Sequence, residues 1–290
     1  MTTKITQPRG KLLLGLIGAG IQASRTPSMH EMEAEALGLK CLYQLIDLEV
    51  LGLGADALPQ LLTAAEQMGF AGLNITHPCK QLVIEHLTEL SADASALGAV
   101  NTVVLRDGKR IGHNTDWIGF SRSFVEGLAG AAIDRVVQFG AGGGGSATAY
   151  AMLKMGAHHL TIIDTDVARA SALVAKLQAL FGHERVSASQ DPALSLARAN
   201  GLVHATPTGM KNYPGVAVAP ELLRKELWVA EIVYFPLETE LLRIARAAGC
   251  RTLDGSGMAV YQAVEAFQLF SGLQADAKRM HHHFLAQVPR

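Results

Sequence analysis

The sequence predicts a protein of the α/β class that is divided into two domains. Apolar runs with the length of buried strands alternate with helix-length patterns, which is typical of βαβ units and a mostly parallel sheet. A second series of the same kind begins at Arg135. The 290 residues are enough for two domains of ordinary size, and the last helix is free to return to the first domain.

In the first series, each predicted strand is followed by a helix. A helix over 28–38 is predicted after the strand LLLGLIG, and a helix over 55–69 after the strand CLYQLIDL. A third helix, over 78–90, is predicted after the strand AGLNIT. The segment AVNTVVLRDGKRIGHNTD departs from this rhythm and predicts two strands joined by the favoured hairpin turn Asp107-Gly108. A helix that starts near Asp116 follows, and its residues Trp117, Phe120 and Phe124 share one face.

In the second series, VVQFGAGGGG predicts a strand and a glycine turn that lead into a helix. LTIID predicts the next strand, before a helix over 167–180. Further strands are predicted at RVSAS, GLVHAT and LWVAEIVY, and an amphipathic helix over 258–271 ends at Gly272.

The composition is that of a soluble globular protein, with 49% apolar and 18% charged residues. A net charge of −1 leaves no electrostatic footprint for nucleic acid or for an anionic membrane. No uncharged apolar run approaches the ~18 residues that span a bilayer. Cys41, Cys79 and Cys250 are far apart and odd in number, which fits neither a disulfide framework nor a zinc site, so we expect a cytoplasmic protein.

The histidine run His281-His-His283 resembles a metal-binding tract. Three neighbouring histidines on one helix cannot all face one ion, so we expect a solvated helix face and no metal.

A glycine turn that binds a dinucleotide needs a strand before it, a helix directly after it, and an acid at the end of the next strand, about 20 residues on. The turn containing Gly140, Gly142, Gly143 and Gly145 meets each condition, because Asp164 ends LTIID. The glycines allow a tight turn and a close approach of the pyrophosphate to the backbone. The sequence therefore predicts a Rossmann-type dinucleotide-binding domain with a parallel sheet.

The carboxylate of Asp164 also bears on which dinucleotide binds. It would accept hydrogen bonds from the ribose hydroxyls of NAD and repel the 2′-phosphate of NADP. No arginine adjoins Asp164, and Arg169, one turn into the next helix, is expected at most to stack on adenine. Alternatively, Asp164 or Asp166 only caps that helix. Because one of the two can cap while the other binds ribose, NAD is favoured.

The stretch GLIGAGIQASRTPSMH admits three interpretations: a signal peptide that ends near Ala23, a second dinucleotide turn at Gly18, or a substrate loop at 24–26. The apolar run makes a good first strand, which disfavours a signal peptide. Pro27 prevents a helix from following the turn directly, and the nearest strand-end acid, Asp47, is too remote. The dinucleotide interpretation is therefore assigned to Gly140.

Hydride transfer from an alcohol to a nicotinamide requires a group that accepts the hydroxyl proton. Two polar clusters follow predicted strands, Asn74-Ile-Thr76-His-Pro-Cys-Lys80 and Asn114-Thr115-Asp116. A lysine with a lowered pKa can accept the proton, and a nearby aspartate can orient it. From these residues alone, a solvated lysine at a helix start is the favoured interpretation of Lys80. Asp116 could equally be only a helix cap.

Several motifs in series resemble those of the shikimate/quinate dehydrogenases: NITHPCK, GAVNT, GHNTDWIGF, the GAGG turn, ATPTGM and GMAVYQA. The resemblance runs in order from Ser24 to about Leu273. It implies a substrate-binding domain at 1–114, completed by 256–290, and an NAD-binding Rossmann domain at 115–255, with the active site in the cleft between them. The implied partner is a small-molecule substrate, and a homodimer is compatible with the sequence.

The implied reaction is reversible oxidation of shikimate to 3-dehydroshikimate, and of quinate to 3-dehydroquinate, with NAD preferred over NADP. Lys80 resembles the family's acid/base and Asp116 its partner, while Ser24 and Thr26 occupy the places of the hydroxyls that bind the substrate carboxylate. Residues that resemble the other groups of the substrate pocket are Thr76, Asn101, Tyr234 and Gln262. The cofactor-binding candidates are Gly140, Gly142, Gly143, Gly145, Asp164, Arg169, Thr206, Gly255 and Met258.

The sequence departs from the family pattern at several of these motifs. Thr26 replaces the second serine of Ser-x-Ser-Pro, and such SRT variants resemble the branch that uses quinate and shikimate with NAD. Trp117 stands where NTDG has glycine, His77 and Cys79 alter NxTxPxK, and His204 replaces the asparagine of NATPxGM. Two alternatives remain open, a dehydrogenase for an amino-shikimate and a non-catalytic sensor that binds quinate or shikimate.

Overall fold

The computed structural model describes residues 10–287, and the chain divides into two compact units. The first unit contains the chain as far as Thr115 and again from Gln262, and the second is Asp116–Tyr261. The basic start on which the signal-peptide interpretation depends lies outside the described residues. Within residues 10–287, none of the helices combines the length and apolarity needed to cross a bilayer.

The first unit is built on a mixed six-stranded sheet with the order β2-β1-β3-β5-β6-β4. The strands are β1 (Lys11–Gly18), β2 (Lys40–Asp47), β3 (Gly72–Ile75), β4 (Glu89–Leu90), β5 (Thr102–Arg106) and β6 (Lys109–His113). Strand β1 pairs in parallel with β2 and β3, whereas β5 is antiparallel to β3 and β6. The first predicted strand is therefore confirmed as β1, a central strand of this sheet.

The helices of the first unit lie between these strands and at the end of the chain. They are α1 (Thr26–Ala36), α2 (Leu48–Leu51), α3 (Leu58–Gln67), α4 (Cys79–Leu82), α5 (Ala92–Leu97) and α12 (Ala277–Ala286). Short 3-10 turns at Ala55–Ala57 and Val83–His86 adjoin α3 and α4. The division at Gln262 falls inside α11 (Ser256–Ser271).

The single helix predicted over 78–90 was wrong. Helix α4 ends at Leu82, and after one 3-10 turn the chain forms β4 and then α5. The amide of Thr88 donates to Arg110 O and that of Ser91 to Gly112 O, both at 2.9 Å. Pairing with β6 therefore satisfies backbone groups that a continuous helix would have bonded internally.

The hairpin predicted at Asp107-Gly108 was confirmed. Arg106 pairs with Lys109 across the turn, and Asp107 and Gly108 have φ angles of 53° and 74°. Both lie in the left-handed region, as a two-residue type I′ turn requires.

Helix α12, which carries the run His281-His-His283 as expected, packs on α1 through a buried carboxylate. Glu33 on α1 accepts hydrogen bonds from the Nε and Nη2 atoms of Arg279, each at 2.7 Å, and from the amide of Asp276 at 2.8 Å. The Arg25 guanidinium lies 5.2 Å from the centre of the Phe284 ring. The last helix thus contacts both the middle of α1 and the residue that precedes it.

The second unit contains a parallel six-stranded sheet with the order β12-β11-β10-β7-β8-β9. Its strands are β7 (Arg135–Phe139), β8 (His159–Ile163), β9 (Val186–Ala188), β10 (Gly201–His204), β11 (Trp228–Glu231) and β12 (Arg251–Leu253). Its helices are α6 (Asp116–Gly127), α7 (Gly143–Lys154), α8 (Val167–Phe181), α9 (Pro192–Ala197), α10 (Glu240–Ala247) and the start of α11. The strand order reverses direction at β7, where a Rossmann-type sheet binds its ligand.

The helix predicted from Asp116 was confirmed as α6, with Phe120 and Phe124 buried. The unusual Trp117 packs on α7, where its ring contacts Tyr150 edge-on at 5.7 Å and lies 4.5 Å from Lys154 Nζ. Helix α7 thereby accommodates a large side chain where the family pattern has glycine.

Candidate active site

The substrate candidates of the first unit lie where β1 and β3 end. The amide of Thr76 donates to Ile17 O, and the amide of Ala19 donates to His77 O, both at 2.9 Å. A Cβ placed on Gly18 would lie 2.3 Å from Thr76 Cγ2, so only glycine fits there. Backbone hydrogen bonds therefore join the ends of β1 and β3. The backbone of His77 accepts one of these bonds, and its side chain is exposed.

The expectation that Asp47 is too remote from the turn after Gly18 was wrong, because the parallel pairing of β1 and β2 places Asp47 beside Gly18 and its carboxylate organises the turn. The carboxylate accepts hydrogen bonds from the amides of Gly20 and Ile21, at 3.0 and 2.9 Å, and from Gln22 Nε2 at 3.0 Å. The Gln22 bond, followed by the backbone bonds, lowers the pKa of Asp47 below its ordinary value. The amides of this turn already donate to the Asp47 carboxylate. The turn therefore resembles an anion-binding site in which a side chain of the protein takes the place of the ligand.

The two hydroxyls predicted to bind a carboxylate lie together. Ser24 Oγ donates to Thr26 Oγ1 at 3.2 Å, and the amide of Thr26 donates to Ser24 Oγ at 3.3 Å. Thr26 begins α1, and Pro27 occupies the first turn, where its missing N–H costs no helical bond. Two half-buried hydroxyls at the positive end of an 11-residue helix are suited to an anionic group.

Asn101 and Gln262, predicted to hold ring hydroxyls, are also brought together. Asn101 is 4% exposed, and its Nδ2 donates to Thr115 Oγ1 at 2.9 Å and to Gln262 Oε1 at 3.3 Å. Its Oδ1 accepts from the amide of Thr115 at 2.8 Å and from Thr102 Oγ1 at 3.0 Å. Asn101 therefore fixes the direction of the Gln262 amide.

A further residue of this polar network, Tyr43, was missed in the sequence. Its hydroxyl donates to Asn74 Oδ1 at 2.7 Å, and Asn74 Nδ2 donates to Thr102 Oγ1 at 3.0 Å. Burial raises the pKa of Tyr43 well above its ordinary value, so the hydroxyl remains a donor. A polar-tipped aromatic residue inside the apolar run CLYQLIDL is the signal that could have identified it.

Lys80 lies on the one-turn helix α4, which is anchored on both sides. The amide of Cys79 donates to Thr76 O and that of Val100 donates to Lys80 O, both at 2.8 Å. The Cys79 side chain is fully buried in the core, and burial raises its thiol pKa. The backbone that carries Lys80 is thus fixed, and the lysine side chain is half-buried.

Two other candidates belong to the second unit. Asp116 is the first residue of α6 and is 4% exposed. Tyr234 follows β11 and is 46% exposed.

The predicted nucleotide turn follows β7 and leads directly into α7. Gly140 has a φ of 101°, and a Cβ placed on Gly145 would lie 2.2 Å from Gly140 O, so both positions require glycine. A Cβ on Gly142 or Gly143 would meet no atom within 4 Å. The backbone at these two residues is open to a ligand, and the first amides of α7 lack intrahelical acceptors, as a pyrophosphate-binding turn requires.

Gln138, a residue that the motif analysis did not single out, supports this turn from below. It is fully buried on β7, and its Nε2 donates to Gly140 O at 2.8 Å and to Gly145 O at 2.7 Å. Its Oε1 accepts from Thr148 Oγ1 at 2.9 Å. A glutamine inside the apolar strand VVQF is the only local signal of this role.

Asp164 lies directly after β8 and binds the nucleotide turn. Its Oδ2 accepts from the amide of Ala141 at 2.7 Å, and its Oδ1 accepts from the amide of Asp166 at 2.8 Å. Asp166 caps α8 by accepting from the amide of Arg169 at 3.0 Å. Asp166 therefore caps the helix, whereas Asp164 faces the turn and remains the candidate for ribose binding.

The expectation that Arg169 at most stacks on adenine, with no arginine beside Asp164, was wrong. Arg169 Nη2 lies 2.9 Å from Asp164 Oδ1, because the first turn of α8 directs this side chain back toward the strand end. Burial alone would raise the pKa of Asp164, but the bonds from Arg169, Asp166 and Ala141 outweigh it and lower the pKa. The ribose-binding candidate is therefore an ionised carboxylate with a cation beside it.

The other cofactor candidates are Thr206, which follows β10, and Gly255 and Met258, which follow β12. A Cβ on Gly140 would lie 3.1 Å from Thr206 Cγ2, and one on Gly255 would lie 2.5 Å from both Ile232 O and Val233 O. Met258 is half-buried near the start of α11. Thr206 thus adjoins the first glycine of the turn, and Gly255 adjoins the chain that leaves β11.

Within residues 10–287, no group of three or more histidine, cysteine, aspartate or glutamate side chains could hold a metal ion. Of the three neighbouring histidines on α12, His282 is exposed and the other two are half-buried.

Comparison with known proteins gives two matches to family models. Residues 16–103 match the shikimate dehydrogenase substrate binding domain, and residues 255–283 match the shikimate 5'-dehydrogenase C-terminal domain. The first match contains the loop with Ser24 and Thr26, and also Lys80 and Asn101.

The chain is 56% identical to a shikimate dehydrogenase (NADP(+)) of Streptomyces avermitilis, over 92% of this chain and 93% of that protein. It is 49% identical to a quinate/shikimate dehydrogenase (NAD(+)) of Corynebacterium glutamicum, over 95% and 98% of the two chains. The solved structure of quinate dehydrogenase from Corynebacterium glutamicum in complex with NAD matches with a TM-score of 0.91 and 48% identity, over 95% of this chain and 99% of that one. The chain therefore belongs to the shikimate/quinate dehydrogenase family.

Proposed function

We propose that this protein catalyses the reversible oxidation of shikimate to 3-dehydroshikimate and of quinate to 3-dehydroquinate, with NAD as its preferred cofactor. The observation that carries the cofactor choice is the position of Asp164, whose carboxylate is bonded to the amide of Ala141 in the nucleotide turn at 2.7 Å. The relatives with this reaction in their names include both NADP and NAD forms, so the choice depends on residues of this chain.

The substrate carboxylate binds Ser24 and Thr26 at the start of α1. Each hydroxyl can donate to the carboxylate once their mutual bond of 3.2 Å is exchanged for bonds to the ligand. The ring hydroxyls are held by Gln262 and Thr76, with Tyr234 as a further contact. Asn101 acts on Gln262, since both of its N–H groups are already directed at protein acceptors.

Lys80 accepts the proton of the reacting hydroxyl as the carbonyl forms, and returns it in the reverse reaction. The bound nicotinamide ring supplies the hydride acceptor. Asp116 is the second residue assigned to this proton transfer. Because α4 is anchored at Cys79 and Val100, the position of Lys80 is set by the fold before substrate arrives.

The preference for NAD follows from the hydrogen-bonding capacity of Asp164. An ionised carboxylate has about four acceptor sites, and donors from Ala141, Asp166 and Arg169 leave one for a ribose hydroxyl. A 2′-phosphate offers only acceptors and would meet the carboxylate charge. Arg169 reduces that repulsion but is held by Asp164, so NADP is disfavoured rather than excluded.

The test is the initial rate of reduced-nicotinamide formation, with NAD and NADP each crossed against shikimate and quinate. We expect kcat/KM with NAD to exceed that with NADP by about tenfold or more, since one unit repulsion near a protein surface amounts to roughly 1–4 kcal/mol. Asp164→Asn should narrow this ratio, and Arg169→Ala should widen it. Binding of either acid without turnover in all combinations would overturn the proposed reaction, and a faster rate with NADP would overturn the cofactor preference.

A further inference from the structure

A buried chain of polar side chains connects β11 to the loop after β10, beside the nucleotide turn. His204 Nδ1 lies 2.9 and 2.8 Å from the two carboxylate oxygens of Glu231, and His204 Nε2 lies 2.6 Å from Thr206 Oγ1. His204 and Glu231 are each 1% exposed. The order carboxylate, imidazole, hydroxyl resembles the arrangement by which a histidine controls the proton of a hydroxyl group.

The partners determine where the protons lie along this chain. A carboxylate only accepts, so His204 Nδ1 carries a hydrogen and, in the neutral ring, Nε2 is an acceptor. Thr206 must then donate its hydroxyl hydrogen to His204. Its oxygen also accepts from the amide of Thr208 at 3.2 Å, which leaves one lone pair. With this tautomer, Thr206 offers a ligand a hydrogen-bond acceptor.

Glu231 is fixed by more than the histidine. It accepts from the amide of Val233 at 2.9 Å and from Thr239 Oγ1 at 3.2 Å, and Thr239 caps helix α10. These bonds hold the carboxylate in place independently of any ligand. Glu231 therefore orients the imidazole of His204, and the imidazole in turn orients the Thr206 hydroxyl.

The position of Thr206 indicates which part of a dinucleotide it faces. Asp164, the ribose-binding candidate, follows β8, on one side of β7 in the sheet. Strands β10 and β11 lie on the other side, so their ends face the nicotinamide half of a dinucleotide that spans the reversal at β7. The donors available in that half are the ribose hydroxyls and the carboxamide N–H.

We propose that His204 and Glu231 are positioning residues that hold Thr206 Oγ1 as an acceptor for a hydroxyl or amide N–H of the nicotinamide half of the cofactor. This inference rests on the proposed function, because it requires that a nicotinamide dinucleotide binds the second unit. His204 departs from the asparagine of the family motif. An asparagine is too short to span from Glu231 to Thr206, so the chain of hydrogen bonds is a property of the histidine.

The test is a fluorescence titration of NADH and NADPH into the wild type, His204→Asn, Thr206→Val and the double variant, without substrate. We expect Thr206→Val to weaken NADH binding about tenfold and His204→Asn about three- to tenfold, as for loss of one hydrogen bond. The double variant should bind no more weakly than Thr206→Val, because His204 acts through Thr206. The control Thr252→Val, on the edge strand β12, should remain within about twofold of the wild type.

A dinucleotide whose carboxamide is replaced by an acetyl group distinguishes the two donors. If the effect of Thr206→Val disappears with this analogue, the donor is the amide, and if the effect persists, the donor is a ribose hydroxyl. Multiplicative losses in the double variant would show separate structural effects and overturn the inference, as would unchanged NADH binding in His204→Asn. A wild type that binds neither dinucleotide would instead overturn the proposed function.

Discussion

The two units build their candidate sites in opposite ways. In the first unit, the candidate site consists of polar side chains that bond in pairs, such as Asn101 with Gln262 and Tyr43 with Asn74. In the second unit, the surface of the nucleotide turn is glycine backbone, and the side chains that shape it, Gln138 and Asp164, lie beneath or beside it. A substrate with many hydroxyls needs many side-chain partners, whereas a pyrophosphate is bound by backbone amides.

This difference determines what a substitution does in each unit. Under the proposed function, changing a residue of the first site alters a group that binds the substrate or a group that orients such a residue. Changing a buried residue of the second unit alters the shape of a backbone surface. We therefore expect effects on chemistry and substrate binding from the first unit, and effects on cofactor binding from the second.

The largest effect is expected for Lys80→Ala. Turnover should fall by about 10²- to 10⁴-fold, the range that general acid–base catalysis contributes, while the Kd for shikimate changes much less. Steady-state rates and substrate titration by calorimetry measure the two quantities. Lys40→Ala, at an exposed lysine of the same unit, is the matched control. A variant with near wild-type turnover would exclude Lys80 as the proton acceptor.

A pair of variants separates the two kinds of site. Asn101→Ala releases Gln262 and leaves the amide of Thr115 without its acceptor, so we expect substrate affinity to fall by about tenfold or more while NADH affinity is retained. Gln138→Leu removes the side-chain N–H groups that bond Gly140 O and Gly145 O. We expect this variant to lose NADH affinity and to retain substrate affinity.

Each of these two substitutions also removes buried hydrogen bonds, which should lower the free energy of unfolding by about 1–3 kcal/mol. Urea denaturation measures this loss of stability. The titrations with substrate and with NADH are performed at a protein concentration at which the variant is folded. Equal losses of substrate and cofactor affinity in both variants would contradict the division between the units.

A smaller effect concerns acid stability and is expected in the first unit alone. His30 is fully buried among Tyr43, Phe267 and Phe270, with ring centres 5.0 to 6.0 Å away, and within residues 10–287 neither of its nitrogens has a hydrogen-bond partner. Burial lowers its pKa from 6.5 to about 3. Below pH 6.5 the unfolded chain binds a proton that the folded unit excludes, so stability falls by about 1.4 kcal/mol per pH unit.

Hydrogen exchange of the amides in β1 and β3, compared with β7 and β8, tests this expectation between pH 6.5 and 5. His30→Leu should remove about 2 kcal/mol of the acid-induced loss in the first unit, and leave the second unit unchanged. His86→Leu, at a half-buried histidine of the same unit, is the control. An identical pH dependence in wild type and His30→Leu would exclude His30 as the acid-sensitive group.

The elements that could be predicted from the sequence are those that short stretches determine. The apolar run of β1, the Asp107-Gly108 turn and the glycines before α7 each carry their own signal. The segment 78–90 could not be predicted, because the bond from Ser91 to Gly112 joins residues that are far apart in the chain. The same limit applies to Arg169, whose partner depends on how the first turn of α8 approaches the end of β8.

In the candidate site, the motifs predicted the side chains that we propose face ligands, including Ser24, Thr26 and Lys80. They did not identify Gln138 or Glu231, since a single polar residue inside an apolar strand does not indicate its partner. Both are buried, and each acts on a neighbour rather than on a ligand. The partners of such supporting residues are defined only by the hydrogen bonds of the folded structure.

The buried pair of Glu33 and Arg279 has a consequence for the order in which the chain folds during synthesis. The second unit is continuous in sequence and ends at Tyr261, so all of it is synthesised before α12. Glu33 has no access to Arg279 until α12 has been made, and a carboxylate that is buried in the finished unit remains without its cation. The unit that begins the chain is therefore the last to be completed, and the second unit can fold ahead of it.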